Sequence, residues 1–157
     1  MNLINDREAG GLRRSSLYRL SETEIEYLKN EIKAIEADES VFIFNEFTRT
    51  GYRDGYNIIA VAGDVIPDLN SIHPRDLMSE RAVLAHEYYG HYKFAPSNFD
   101  AGDWRDEFRA SYMAAKNTPN LTDKDRRYLV LDALERAKEA GVTITYNDFI
   151  RRILYGY

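Results

Sequence analysis

The sequence predicts an α+β domain in which a small antiparallel sheet packs on a bundle of about five helices. Ser21-x-x-Glu24 is a capping box that opens a helix, two β-rich runs follow it, and the rest of the chain has helical periodicity. With 157 residues and 44% hydrophobic content, the chain is long enough for one substantial core. We therefore expect a single domain over residues 17–157, preceded by an N-terminal arm or linker over residues 1–16.

The first helix should run to about Ala37, because Ile25, Leu28, Ile32 and Ile35 recur on one of its faces. Residues 41–44 and 56–61 are rich in β-branched and aromatic side chains and predict two strands. Turn residues at Gly51 and Asp54-Gly55 lie between the two runs and favour antiparallel pairing.

The next helix carries the most informative segment, His-Glu-Tyr-Tyr-Gly-His at residues 86–91. It holds two of the three histidines of the chain and lies among apolar residues on almost every side. A helix that is apolar all round is normally buried. Ionisable groups in such a helix cost free energy unless a partner or a metal compensates them, and a zinc ion is the interpretation we favour.

His86 and His91 are separated by five residues, whereas the common zinc-protease motif has its histidines at i and i+4. A straight α-helix would place them about 140° apart, too far to share one ion. A single π-type turn absorbs the extra residue, and such turns are frequent at functional sites. Gly90 lacks a Cβ, which makes a distorted turn less costly there.

A second central helix should begin after an N-cap at Asp103 and run to about Lys116. Trp104, Phe108, Tyr112 and Ala115 make an apolar stripe on it, while Ala110, Ser111 and Ala114 make a strip of small residues beside Glu107. If this strip faces Ala82 and Ala85, the axes of the two helices can come close together.

Two further helices complete the predicted elements. Thr122-x-x-Asp125 opens a helix to about Ala140, which Gly141 ends. Its inward face is predicted to contain Tyr128, Leu131, Leu134 and Ala137. Thr145 is expected to cap a last short helix through Leu154.

His-Glu-Tyr-Tyr-Gly-His resembles the His-Glu-x-x-Gly-His motif of the dipeptidyl-peptidase III family, a variant of the gluzincin metallopeptidases. Residues 106–111, Asp-Glu-Phe-Arg-Ala-Ser, are similar to the second motif of that family, Glu-Glu-x-x-Ala-Glu or Glu-Glu-x-x-Ala-Asp. The resemblance implies a zincin-like fold with Zn²⁺ between two central helices and Glu107 as the third ligand. It also implies that Asp106 orients a histidine. Ser111 stands where the family has a carboxylate, which puts the outer hydrogen bond at that position in doubt.

The resemblance implies peptide-bond hydrolysis, with a peptide or protein as substrate and Glu87 as the general base that takes a proton from zinc-activated water. A strand before the metal helix pairs with substrate in such peptidases, which makes residues 58–63 the candidate for that role, and a plain core strand is the alternative. Arg109, Tyr112 and Tyr146 are unranked candidates for stabilising the oxyanion. Compact domains of this kind also occur as toxin or effector proteases, for which an inhibitor or immunity protein would be a partner.

Several alternatives stay open. Glu87 could be a surface partner of Lys93 or Arg81, Glu107 a first-turn acid, and His73 a core or loop residue. The whole chain could be a non-catalytic binding or structural domain, stapled by a metal or by hydrogen bonds. On an undistorted helix, Glu87 and His91 could instead bind iron or manganese with Glu107 while His86 faces elsewhere.

Composition excludes other classes of function. A net charge of −5 and scattered basic residues give no footprint for nucleic acid. The absence of cysteine excludes disulfides, thiol catalysis and cysteine-bound zinc. The first residues lack the apolar core of a signal peptide, and no run is long enough to span a membrane. The chain as given is expected to be cytoplasmic, or secreted or delivered if it belongs to a longer effector.

Overall fold

The computed structural model describes residues 17–100 and 102–156, so the predicted arm at residues 1–16 lies outside the described residues. Six α-helices and a three-stranded mixed sheet make up the described part of the chain, which confirms the α+β class. The helices are α1 (Glu22–Ala34), α2 (Pro74–Leu77), α3 (Glu80–Ala85), α4 (Trp104–Asn117), α5 (Asp123–Glu139) and α6 (Asp148–Tyr155). The strands are β1 (Phe42–Phe44), β2 (Gly51–Arg53) and β3 (Ile58–Val61).

Helix α1 begins at the predicted capping box. Ser21 accepts a hydrogen bond from the Glu24 backbone N–H, and the Ser21 N–H donates to the Glu24 carboxylate. The helix ends three residues earlier than predicted, and Glu36 then takes a left-handed conformation with φ of 57°. Its buried face packs on α3, so that the helix carrying the two histidines is covered on this side.

The sheet has the order β1-β3-β2 and corrects the predicted strand pairing. β1 pairs with β3 in parallel, with Phe42 opposite Ile59, so the antiparallel pairing expected for these two runs is wrong. The turn residues Asp54-Gly55 do connect an antiparallel pair, but its first member is β2, a strand that the sequence did not reveal. The short β2 contains Gly51, which had been assigned to turn chemistry.

The central position of β3 overturns a second expectation. Both of its edges are occupied, by β1 and by β2, so it cannot accept a further strand. The prediction that residues 58–63 pair with an extended substrate is therefore wrong, and β3 is a core strand. β2 is the edge strand that lies next to the histidine segment.

Helix α5 begins at the capping box of Thr122 and Asp125, as predicted, and Gly141 follows its end in a left-handed conformation. Its buried face differs from the predicted one, because Tyr128, Leu131 and Leu134 are only half-buried. The buried residues are Asp125, Leu129, Val130, Asp132, Ala133, Arg136 and Ala137. Asp125 belongs to the capping box, whereas Asp132 and Arg136 pair with each other and contact residues of the candidate site.

The last helix starts later than predicted. Asn147, rather than Thr145, is the N-cap of α6, and its side chain accepts a hydrogen bond from the Ile150 N–H. α6 packs on α5, where Arg127 donates a hydrogen bond to the Leu154 carbonyl. None of the helices in the described part of the chain is both long and apolar enough to cross a lipid bilayer.

Candidate metal centre

The histidine segment forms the π turn that the i, i+5 spacing predicted. α3 continues directly into a π-helical segment over His86–His91, and the Tyr92 N–H donates to the Glu87 carbonyl, five residues earlier. This extra residue per turn brings the His86 and His91 rings to 4.9 Å between their centroids. Both histidines are 2% exposed and lie on the same side of the helix.

Gly90 is required by packing. A Cβ built on Gly90 would lie 2.5 Å from the Ala110 carbonyl oxygen and 2.7 Å from the Ala110 Cα. The backbone of Gly90 is not left-handed, so the absence of a Cβ matters because α4 approaches the π segment closely at this point. The strip of small residues on α4 therefore contacts the π segment at Gly90, which lies further along the helix than the predicted contacts Ala82 and Ala85.

This close approach brings Glu107 of α4 to both histidines. Glu107 Oε1 lies 3.1 Å from His86 Nε2, and Glu107 Oε2 lies 3.3 Å from His91 Nε2. Glu107 is an acid of the first turn of α4, as the alternative expected, but it is fully buried and contacts both histidines. Glu107 thus contacts both of the histidines expected as zinc ligands.

The electrostatics of this cluster favour a charged carboxylate and an uncharged imidazole. Burial raises the pKa of Glu107, but His91, His86 and Arg136 outweigh it and hold that pKa well below its usual range. Burial lowers the pKa of His86, although Glu107 acts in the opposite direction. A neutral imidazole and an ionised carboxylate are the forms that bind metals.

Asp106 lies on the far side of His91. Its Oδ2 is 3.6 Å from His91 Nδ1, too long for a hydrogen bond, while its Oδ1 accepts hydrogen bonds from Ser97 and Arg109. Asp103 is the N-cap of α4, as predicted, and accepts a hydrogen bond from the Arg105 N–H. Asp106 is thus held next to the histidine that the resemblance expected it to orient.

Ser111 links His86 to a carboxylate that the sequence did not identify. Its Oγ lies 2.8 Å from His86 Nδ1 and donates a hydrogen bond of 2.6 Å to Asp132 of α5. Arg75 and Arg136 donate hydrogen bonds to the other oxygen of Asp132. Burial raises the pKa of Asp132, but the two arginines outweigh that effect and lower the pKa to about 2. The only sequence signal was the pair Asp132 and Arg136 at i, i+4, which is ordinarily a solvated salt bridge.

Glu87 is completely buried, which rules out a surface partnership with Lys93 or Arg81. One of its oxygens accepts a hydrogen bond of 3.1 Å from the Tyr52 N–H of β2. Potential ligand atoms of His86, Glu87 and His91 all lie within 4.8 Å of one another. Strand β2 therefore holds Glu87 beside the histidines.

Comparison with known proteins finds no match: no family model, no curated protein and no solved structure is significantly similar to this chain. The resemblance to the dipeptidyl-peptidase III family consequently depends on the two motifs alone.

The remaining candidates have identifiable surroundings. His86 points at Glu107 on a distorted helix, contrary to the alternative in which His86 faces away. His73 is a half-buried loop residue that caps α2 and contacts Glu139. Of the unranked oxyanion candidates, Arg109 donates to Asp106 and Tyr112 accepts a hydrogen bond from Asn147.

Two clefts flank the cluster. One, of about 520 Å³, is lined by Tyr52, Asp54, Asn57, Ala95, Pro96, Ser97, Phe99 and Asp100. It adjoins the cluster because Tyr52 bonds Glu87 and Ser97 bonds Asp106. The other, of about 560 Å³, includes Arg136, whose guanidinium is 3.7 Å from Glu107 Oε1.

Proposed function

We propose that this chain is a zinc-dependent peptidase, with His86, His91 and Glu107 as metal ligands and Glu87 as general base. The observation that carries the proposal is that one buried carboxylate contacts two buried imidazoles, with a second buried carboxylate beside the same imidazoles. The proposed substrate is a peptide or protein. Action as a toxin or effector, with an inhibitor or immunity protein as partner, rests on the resemblance alone.

The donor atoms support a metal of zinc's size. In a tetrahedral zinc site with nitrogen and oxygen ligands, neighbouring donor atoms are about 3.3 Å apart. Glu107 Oε1 is 3.1 Å from His86 Nε2 and 3.4 Å from His91 Nε2. Glu107 Oε2 is buried and accepts no hydrogen bond of good geometry from the described residues, which a bound cation would compensate.

A bound zinc ion would supply a Lewis acid that polarises the substrate carbonyl and acidifies water. Glu87 is suited to accept the proton of that water and to pass it to the leaving amine, because it lies beside the histidines without contributing the third ligand. The Tyr52 N–H restrains one of its oxygens. The cleft that begins at Tyr52 is the proposed route for substrate.

One observation favours a second candidate, a non-catalytic domain stapled by metal. His86 and His91 are 2% exposed, and Glu87 and Glu107 are completely buried. Structural zinc sites are closed, whereas catalytic sites keep an open position. We rank this candidate second, because a structural site needs no additional buried carboxylate such as Glu87, whose burial costs free energy.

The first test is the metal content of protein purified without chelator. We expect about one zinc per chain, and we expect His91→Ala to lose it because too few ligands remain. His73→Ala is the matched control, since this histidine lies outside the cluster. Wild-type protein that takes up no metal even with added zinc would contradict both candidates.

The second test separates the two candidates. Glu87→Gln should lower the rate of peptide hydrolysis by about 10²- to 10⁴-fold, because the amide cannot act as general base. Zinc content should stay at the wild-type value. Glu80→Gln, on the same helix, is the control. Zinc-loaded wild-type protein that cleaves no member of a diverse peptide library would favour the structural candidate instead.

A further inference from the structure

Ser111 and Asp132 form a chain of contacts that ends at the imidazole of His86. Ser111 Oγ is 2.8 Å from His86 Nδ1 and donates to Asp132 Oδ2 at 2.6 Å, and all three side chains are buried. Asp132 belongs to α5, a helix that carries none of the proposed ligands. Asp132 contacts His86 through the serine hydroxyl, while its other oxygen pairs with Arg136, whose guanidinium lies 3.7 Å from Glu107 Oε1.

The direction of these hydrogen bonds follows from the number of protons available. Asp132 is an ion-pair partner of both Arg75 and Arg136, at 3.2 and 3.3 Å, so its carboxylate is ionised and can only accept. The serine hydroxyl has one hydrogen, which it donates to Asp132. Toward His86 the hydroxyl then offers only lone pairs, so His86 Nδ1 must carry a proton and donate it.

This assignment decides what the opposite side of the ring can do. With a proton on Nδ1, Nε2 is the nitrogen that would offer its lone pair to a metal held between it and Glu107 Oε1, which is 3.1 Å away. Two acceptors at that distance repel each other unless a cation lies between them. The opposite tautomer would turn the same contact into an ordinary Nε2–H to carboxylate hydrogen bond.

We propose that Asp132 is a positioning residue that acts through Ser111 to hold the proton of His86 on Nδ1 and keep Nε2 available for a metal. This inference rests on the proposed function for the identity of the metal, but the proton that it assigns to Nδ1 belongs to the metal-free protein as well. Ser111 and Asp132 would together take the place of the carboxylate that the resembled motif has at the position of Ser111. Outer partners of this kind typically change metal affinity by about 10- to 100-fold.

Nitrogen-15 NMR of the imidazoles in metal-free protein at neutral pH tests the tautomer directly. We expect His86 Nδ1 to be protonated in wild type, and the Nδ1–H signal to be lost or to exchange rapidly in Ser111→Ala. A merely structural role for the serine would leave the imidazole spectrum unchanged in Ser111→Ala. An unprotonated His86 Nδ1 in wild type would overturn the inference.

Zinc affinity, measured by competition with a chelator, provides the second readout. Ser111→Ala and Asp132→Asn should each weaken zinc binding by about 10- to 100-fold, and the double variant should be no weaker than the weaker single variant. Additive losses would overturn the claim that Asp132 acts through Ser111. If Asp132→Asn does not fold, Ser111→Ala decides the result, because Ser111 makes no ion pair.

Ser79→Ala is the matched control. Ser79 Oγ also donates to an aspartate of α5, Asp125, at 2.6 Å, but far along that helix from His86. Its removal should leave the His86 spectrum and zinc affinity unchanged. A wild-type protein that binds no zinc but has His86 Nδ1 protonated would defeat the proposed function while leaving the tautomer assignment standing.

Discussion

At the scale of single residues, four carboxylates are completely buried in one region, and each is compensated differently. Glu87 accepts a backbone N–H, Asp106 bonds Ser97 and Arg109, Glu107 contacts two histidines, and Asp132 bonds Ser111 and two arginines. Buried charges without partners are strongly unfavourable. Such a concentration of compensated charge is characteristic of functional sites, and its acid sensitivity can be measured.

Asp132 should contribute to acid unfolding with a predictable sign. Its pKa is about 2 in the fold, against an ordinary 3.8, so the unfolded chain binds a proton first as the pH falls. Stability from this group is present above about pH 4 and is lost toward pH 2, in total roughly 2 kcal/mol. His86, whose pKa is also lowered, contributes with the same sign at higher pH, and Glu107 contributes with the same sign over the acidic range.

The check is urea unfolding of metal-free protein at several values between about pH 5 and pH 2. The free energy of unfolding should fall less steeply with decreasing pH in Asp132→Asn than in wild type. Asp123→Asn, at the exposed start of the same helix, should keep the wild-type slope. Equal slopes in all three proteins would contradict the assigned role of Asp132.

At the scale of secondary-structure elements, the site depends on how closely α4 approaches the π segment. Gly90 lies against Ala110, and Glu107 is one turn earlier on the same helix. The edge strand β2 contacts the π segment from another direction and donates the Tyr52 N–H to Glu87. Helix α5 completes the surroundings by turning Asp132 and Arg136 inward.

Gly90→Ala should force these elements apart. The added methyl group would meet backbone atoms of Ala110 at 2.5 and 2.7 Å, which cannot move without shifting α4. We expect a loss of about 1–3 kcal/mol in the free energy of unfolding, together with weaker zinc binding because Glu107 moves with α4.

Urea unfolding and zinc competition measure the two effects of this substitution. Gly55→Ala is the control, because a Cβ there has no neighbour within 4 Å among the described residues. The close contact would be shown to be unimportant if Gly90→Ala matched Gly55→Ala in both stability and zinc affinity.

At the scale of the whole molecule, the proposed ligands come from two helices separated in sequence, and their partners come from α5 and β2. A metal held by such residues binds the folded chain and not the unfolded one. Zinc at about 100 times its Kd should add about 2.7 kcal/mol of stability. For a chain of this length, that corresponds to a rise in Tm of about 5–10 °C.

Thermal unfolding with and without zinc tests this coupling. Glu107→Gln should lose most of the zinc-dependent rise in Tm, because an amide is a poor replacement for a carboxylate ligand. The same rise in Glu107→Gln and in wild type would show that zinc stabilises the protein from another site.

Local sequence determined the features that depend on near neighbours along the chain. The capping boxes of α1 and α5, the cap at Asp103 and the end of α5 follow from short-range hydrogen bonding and backbone preference. The π turn could also be predicted from the sequence, because two histidines at i and i+5 in a buried helix can face the same side only if the helix contains one extra residue.

Tertiary structure alone decided the features that depend on partners distant in sequence. β1 and β3 pair in parallel because β2 lies between them in sequence and pairs with the other edge of β3. Strand pairing depends on residues distant in sequence, which local patterns do not specify. From the sequence, Asp132 and Arg136 would be expected at the surface, because charged residues are normally exposed. In the fold both are buried, with Asp132 bonded to Ser111 and Arg136 close to Glu107. The sequence by itself therefore determined which residues could bind a metal, whereas only packing decided which charges surround them.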